Sequence, residues 1–201
     1  MTKTVTGLFD HYSDASAAVE ELKSAGIPDR DISLVSNNSD GRHSDDNNAA
    51  EGAGAGAGIG AAVGGAGGLL TGLGIMAIPG VGPVVAAGWL AATAAGAIAG
   101  AVVGGAAGGL IGALTDSGVD ENDAHVYAEG VRRGGTLVTA KVDEPLVFEA
   151  EAILKRSNWV DLPTRRSEYE GQGWTRFDES AEPYSKTEVV EDRARYAGRA
   201  L

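Results

Sequence analysis

Ile78-Pro79-Gly80-Val81-Gly82-Pro83 lies inside Gly52–Thr115, sixty-four consecutive residues without one charged side chain, 21 of them glycine. The glycines on either side fall into two ladders at a spacing of four. The first is Gly52, Gly56, Gly60, Gly64, Gly68 and Gly72; the second is Gly96, Gly100, Gly104, Gly108 and Gly112, extended backwards by Ala92 and Gly88. A four-residue period lays small residues along one stripe of a helix and has no use in a strand. Proline and glycine at Pro79, Gly80, Gly82 and Pro83 are the strongest helix breakers and mark a turn. The stretch therefore predicts a helical hairpin with arms over 52–77 and 84–114.

At 1.5 Å per residue the arms would be about 39 and about 46 Å long, enough for a ~30 Å hydrocarbon core. The seven strong apolar residues of the first arm, Ile59, Val63, Leu69, Leu70, Leu73, Ile75 and Met76, favour insertion by only about 2–4 kcal/mol. Its 11 glycines would cost a helix in water roughly 9–11 kcal/mol relative to alanine. Such a helix is stable where lipid forbids unpaired backbone, or where close packing compensates. Glycine every fourth residue supplies that packing, as in the small-xxx-small pairs of membrane helices. The expectation is a glycine-zipper transmembrane hairpin that self-associates through its two ladders, with the lipid bilayer and further copies of the chain as partners. The runner-up is a soluble α/β binding or self-assembling module with the hairpin packed on the domain or in an oligomer.

The flanks read as one small α/β domain. Thr4–Phe9 alternates and is β-branched, as a strand requires. Ser13 caps a helix with Ala18, Val19, Leu22 and Ala25 on one side, and Gly26 ends it. Ile32–Ser36 is a second strand. Beyond the uncharged stretch, Asp120 caps a helix carrying Ala124, Tyr127, Ala128 and Val131, closed by Gly134-Gly135. Thr136–Val142 is a strand, Pro145 opens a helix with Val147, Ala150, Ile153 and Leu154, and Trp159–Leu162 reads as a last short strand. Each half is a strand–helix–strand unit, and two such units make a ferredoxin-like split βαβ sheet of α+β class. The expected division is 1–51 for the first half of the domain, 52–115 for the hairpin, 116–163 for the second half and 164–201 for a polar, charged tail.

Two segments, Leu73-Gly-Ile-Met-Ala-Ile-Pro-Gly-Val-Gly-Pro-Val-Val-Ala-Ala-Gly88 and Tyr127-Ala-Glu-Gly-Val-Arg-Arg-Gly-Gly-Thr-Leu-Val138, resemble the bacterial general-stress-like proteins. In that family a small α/β domain is often split by a glycine-rich hydrophobic insertion. With the flanking pattern the resemblance covers about residues 3–162. It implies a membrane-associated stress protein of undetermined biochemistry, and no catalytic residue carries over.

Charge and residue types narrow the chemistry. The net charge is −12 with no basic run, so nucleic acid is not expected as a partner. Cysteine is absent, which excludes disulfides, thiolate metal sites and cysteine nucleophiles. No apolar run near Met1 reads as an export signal. With both halves needed in one sheet, the expected location is the cytoplasmic membrane with both ends in the cytoplasm. Arg42, Arg132 and Arg133 lean the same way.

His43 among Asp40, Asp45 and Asp46 fails the calcium-loop template, because Ser36 and Asn47 would stand at its two ends. His11 and His125 are isolated. Gly52-Ala-Gly-Ala-Gly-Ala57 matches a loose dinucleotide fingerprint but follows no strand directly. No cofactor, metal or enzymatic role is therefore expected. In the tail, Ser185-Lys-Thr-Glu188 is a capping box for a helix over about 186–198, and Glu191 and Arg195 are spaced as an i,i+4 pair. Trp174 and Phe177 read either as aromatics that pack back on the domain or as anchors for a protein partner.

Overall fold

A computed structural model describes residues 2–39, 74–94 and 109–197. The fold is α+β, built on a five-stranded antiparallel sheet in the order β1-β5-β2-β4-β3. The strands are β1 Thr2–Phe9, β2 Ile32–Asn37, β3 Gly74–Ile78, β4 Gly82–Ala87 and β5 Thr136–Asp143. The helices are α1 Tyr12–Ser24, α2 Gly109–Asp116, α3 Glu121–Arg132, α4 Val147–Arg156, α5 Leu162–Gly171 and α6 Lys186–Ala197, with residues 89–94 also helical.

The centre of the uncharged stretch is a β-hairpin, which corrects the helical hairpin expected there. Ile78 pairs with Gly82 and Gly74 with Ala86. The Val81 N–H donates to the Ile78 carbonyl at 3.0 Å. Pro79 follows Ile78 and Gly80 has φ 72°, the residue pattern of a type II turn. Pro79, Gly80, Gly82 and Pro83 thus do mark a turn, but one that joins strands. The β-branched Ile75, Ile78, Val84 and Val85 favour the pleated conformation. Gly88 belongs to no helical stripe. It has φ 85°, and a Cβ there would overlap the Ile32 carbonyl oxygen, so β4 ends where only glycine fits. Gly112 does lie in a helix, α2. Gly52, Gly56, Gly60, Gly64, Gly68, Gly72, Gly96, Gly100, Gly104 and Gly108 fall outside the described residues.

The hairpin continues the domain's own sheet. Leu34 to Asn37 of β2 pair with Ala87 to Val84 of β4. Ser33 Oγ donates to the Ala87 carbonyl at 2.6 Å, and the Asn38 N–H to that of Pro83 at 2.8 Å. Both arms of the expected membrane hairpin therefore end in sheet, where a spanning helix would need to run on. Among the described residues no helix is long and apolar enough to cross a membrane. The transmembrane reading is overturned, and with it the location in the cytoplasmic membrane.

Helices cover both faces of the sheet. On one face α1 and α4 bury Ala15, Ala18, Val19, Leu22, Ala150, Ile153 and Leu154 with Val5, Phe9, Ile32, Leu34, Val138 and Val142. On the other, α2 and α3 bury Leu110, Leu114, Ala124, Ala128 and Val131 with Leu8, Val35, Val84, Ala86 and Leu137. At about 1.5–3 kcal/mol for each fully buried large aliphatic side chain, these two cores supply the main stabilisation.

Smaller corrections follow. His11 occupies the N-cap position of α1, and Ser13 lies within the first turn. Asp120 does cap α3 as the sequence predicts, its side chain accepting from the Asn122 N–H. Trp159–Leu162 is not a strand: only the Val160 N–H reaches β1, at the Leu8 carbonyl, 2.7 Å. Helix α5 then starts at Leu162, capped by Asp161 through the Thr164 N–H, with proline in its first turn.

Candidate functional site

After α5, residues 174–185 run as a strap across the β3–β4 turn. A Cβ built on Gly80 would lie 2.7 Å from the Asp178 carbonyl oxygen and 2.9 Å from the Phe177 ring. One built on Gly82 would lie 2.7 Å from Pro183 Cβ. The turn glycines therefore serve twice, adopting positive φ and letting the strap backbone come close. Phe177 is 5% exposed and belongs to the same apolar cluster as Ile78, Val81 and Leu110. Trp174 is half-buried and meets Tyr169 edge-on with centroids 5.7 Å apart. Phe177 thus packs within the chain, and Trp174, half-buried, packs on the chain's own helix.

The strap is fastened at its ends by a buried cluster of arginines, carboxylates and tyrosines. At the C-cap of α3, Arg133 Nε donates to Glu129 Oε1 at 2.6 Å, and both side chains are buried. Arg133 Nη1 donates to Gln172 Oε1 at 2.6 Å and lies 3.5 Å from Asp192 Oδ2 of α6. Its guanidinium stands 4.2 Å over the Tyr169 ring. Arg132 donates to the Glu182 carbonyl at 2.9 Å and stands 5.0 Å over Tyr184. Arg165 of α5 makes a bidentate pair with Asp10, 2.8 Å at each oxygen, and stacks 3.8 Å over Tyr196. Arg193 donates to the Gly134 carbonyl.

Burial dominates the electrostatics of this cluster. It pulls the Arg133 guanidinium down, but the Glu129 hydrogen bond and charge outweigh it and hold the group cationic. Burial pushes the Asp192 carboxyl up, against the pull of Arg133 and Arg195. It also pushes the Tyr169 hydroxyl well above its usual range, with nearby Arg165 pulling the other way; the hydroxyl meets no described neighbour at full hydrogen-bond geometry.

Two more features flank the strap. Arg176 Nη2 lies 2.7 Å from His125 Nε2. A guanidinium only donates, so the imidazole accepts and is neutral with its proton on Nδ1. Burial first, then Arg176, lowers its basicity, while Glu121 opposes them. At the far end of the sheet an open groove of ≈ 670 Å³ is lined by Thr2, Thr4, Arg30, Asp31, Lys141 and Asp143 among others. Lys141 Nζ stands 3.8 Å over Trp89, whose Nε1 donates to the Asp31 carbonyl at 3.1 Å. The groove mixes both signs of charge and selects neither anion nor cation.

His11 and His125 remain apart, on α1's N-cap and on α3. Among the described residues no three His, Asp or Glu side chains gather as a metal centre would need. Asp40, His43, Asp45 and Asp46, and Gly52 to Ala57, fall outside them. The capping box is present: the Ser185 N–H donates to Glu188 Oε2 at 2.8 Å and the Glu188 N–H to Ser185 Oγ at 3.4 Å. Arg195 pairs with Asp192 at 3.3 Å, whereas the sequence suggested Glu191. The buried Glu129, Arg133, Arg165 and Asp192 were not anticipated. Their one signal is the i,i+4 spacing of Glu129 and Arg133, which on its own reads as an exposed pair. Comparison with protein-family models, with curated proteins and with solved structures finds no match.

Proposed function

We infer that the chain is a non-enzymatic α/β module that acts by binding or self-assembly, with its hairpin held on its own domain. The observation that carries this reading is the position of β3 at the end of the sheet among the described residues. Its sequence, Gly74-Ile-Met-Ala-Ile78, has neither charge nor proline. Edge strands that stay single usually carry lysine, proline or a bulge against strand addition, and β3 has no such device in its sequence. On a chain of net charge −12, an uncharged edge is also where a second copy meets least repulsion. The partner proposed is therefore another copy of the chain, added through β3.

The order β1-β5-β2 is compatible with a ferredoxin-like split βαβ core whose fourth strand has shrunk to the Val160–Leu8 hydrogen bond. Kinship with the general-stress-like proteins is proposed on the same residues as before, which here form the β3–β4 hairpin and the α3–β5 connection.

Ala77 of β3 is exposed, so Ala77→Lys places a charge on the edge without filling the core. Sedimentation equilibrium of the full chain should give a mass rising with concentration, and the variant should stay near the 20.3 kDa of one chain. A wild-type mass fixed at one chain, or a variant that associates equally well, would overturn the reading.

A further inference from the structure

We propose that the strap is a pH-sensitive latch, held shut by neutral His125 accepting from Arg176 and opened by protonation of that imidazole. The proposal is independent of self-association through β3.

The geometry leaves little room for a charged imidazole in the closed strap. Nε2 faces a guanidinium at 2.7 Å, and Nδ1 is buried without a partner among the described residues. A proton added at Nε2 removes the only acceptor Arg176 has on the ring and sets two cations against each other. The other charged group acting on the ring is Glu121, 3.9 Å from Nε2 and 3.6 Å from Arg176. It is 70% exposed and therefore screened by water. On α5, Arg166 is engaged by Asp123 at 2.6 Å, and α2 carries no charge before Asp116. Arg176 is itself 66% exposed, and Glu121 is the partner it retains once the ring is charged.

What the latch controls follows from the chain next to it. Phe177, Asp178 and Glu179 lie directly against Gly80, and Pro183 against Gly82. Loss of the Arg176 contact loosens the strap where it covers the hairpin turn and exposes Arg132 and Tyr184 beyond it. Burial and the Arg176 guanidinium both hold the His125 imidazole below its ordinary basicity in the closed strap, and release of the strap removes the second of these. Closure is therefore fully favoured where the imidazole is neutral and weakens as pH falls and the ring takes up a proton.

Hydrogen exchange of the full chain at about pH 7.5 and about pH 5.5, corrected for intrinsic rates, tests this. The amides of 176–182 should lose protection by about threefold or more at the lower pH while those of β5 keep theirs. His125→Gln retains an acceptor for Arg176 but does not titrate, and should stay protected at both pH values. Wild type without a change, or His125→Gln with the same change, would overturn the proposal. The second outcome would assign the effect to Glu179, whose carboxyl burial pushes up.

Discussion

Gly80 and Asp178 are in backbone contact: a Cβ on the glycine would sit 2.7 Å from the aspartate's carbonyl oxygen. Through that contact the last quarter of the chain holds a hairpin that begins a hundred residues earlier. The hairpin turn and the strap are each shaped by the other.

Gly80→Ala measures that contact. The substitution combines a positive φ with an overlap on backbone, and should cost about 2–4 kcal/mol in denaturant unfolding. Gly26→Ala is the reference, since Gly26 has φ 89° but nothing within 4 Å of its Cβ; strain alone should cost about 1 kcal/mol. Equal losses in the two variants would mean that the strap does not press on the turn.

Phe177→Ala should destabilise the fold by about 3–5 kcal/mol, as expected for a buried aromatic. A partner anchor would show no such loss in the isolated chain. Thermal unfolding of the variant decides between them.

The Glu129–Arg133 pair should behave as a buried unit. Glu129→Gln or Arg133→Met alone removes the closer ion-pair partner, leaving Arg133 with Asp192 and Glu129 with Arg132 at 3.5 Å each. Each should cost up to roughly 3–5 kcal/mol, whereas the double variant should cost less than the two losses summed. A double-mutant cycle by urea titration measures the coupling, and additivity would contradict the assignment.

At high pH the buried phenols become a liability. Burial raises both Tyr127 and Tyr169 above the ordinary value of 10.0. The folded state therefore keeps protons that the unfolded chain releases, and stability is full below that value and falls as pH rises above it. Tyr169→Phe removes a hydroxyl that meets no described neighbour at full hydrogen-bond geometry. It should be neutral or slightly stabilising at pH 7 and should flatten the alkaline decline in unfolding free energy. A clear loss at neutral pH would show that the hydroxyl is satisfied.

The sequence is most informative where a local pattern and its tertiary use coincide. Alternation in β1, the Asp120 cap of α3 and the Ser185–Glu188 box of α6 rest on neighbours in the chain and can be read directly. The β3–β4 hairpin cannot, because a short apolar run such as Ile75-Met-Ala-Ile78 fits helix or strand equally. There the four-residue glycine period pointed to helix, yet Gly88 of that series is fixed by the Ile32 carbonyl, a contact remote in sequence. Helix α5 had its signal in Asp161 and Pro163, which polar composition obscured. The Glu129–Arg133 spacing is legible, but its burial depends on α5 and α6 folding over it, and nothing near those residues encodes that.

The account stands or falls on the hairpin forming part of the domain's own sheet. Val35 and Ala86 are register partners across β2 and β4, and the chain has no native cysteine. Val35→Cys with Ala86→Cys, oxidised in the folded protein and analysed by non-reducing mass spectrometry, should form a disulfide within one chain. A pair that stays reduced under native conditions, or that links only different chains, would contradict the placement of the hairpin.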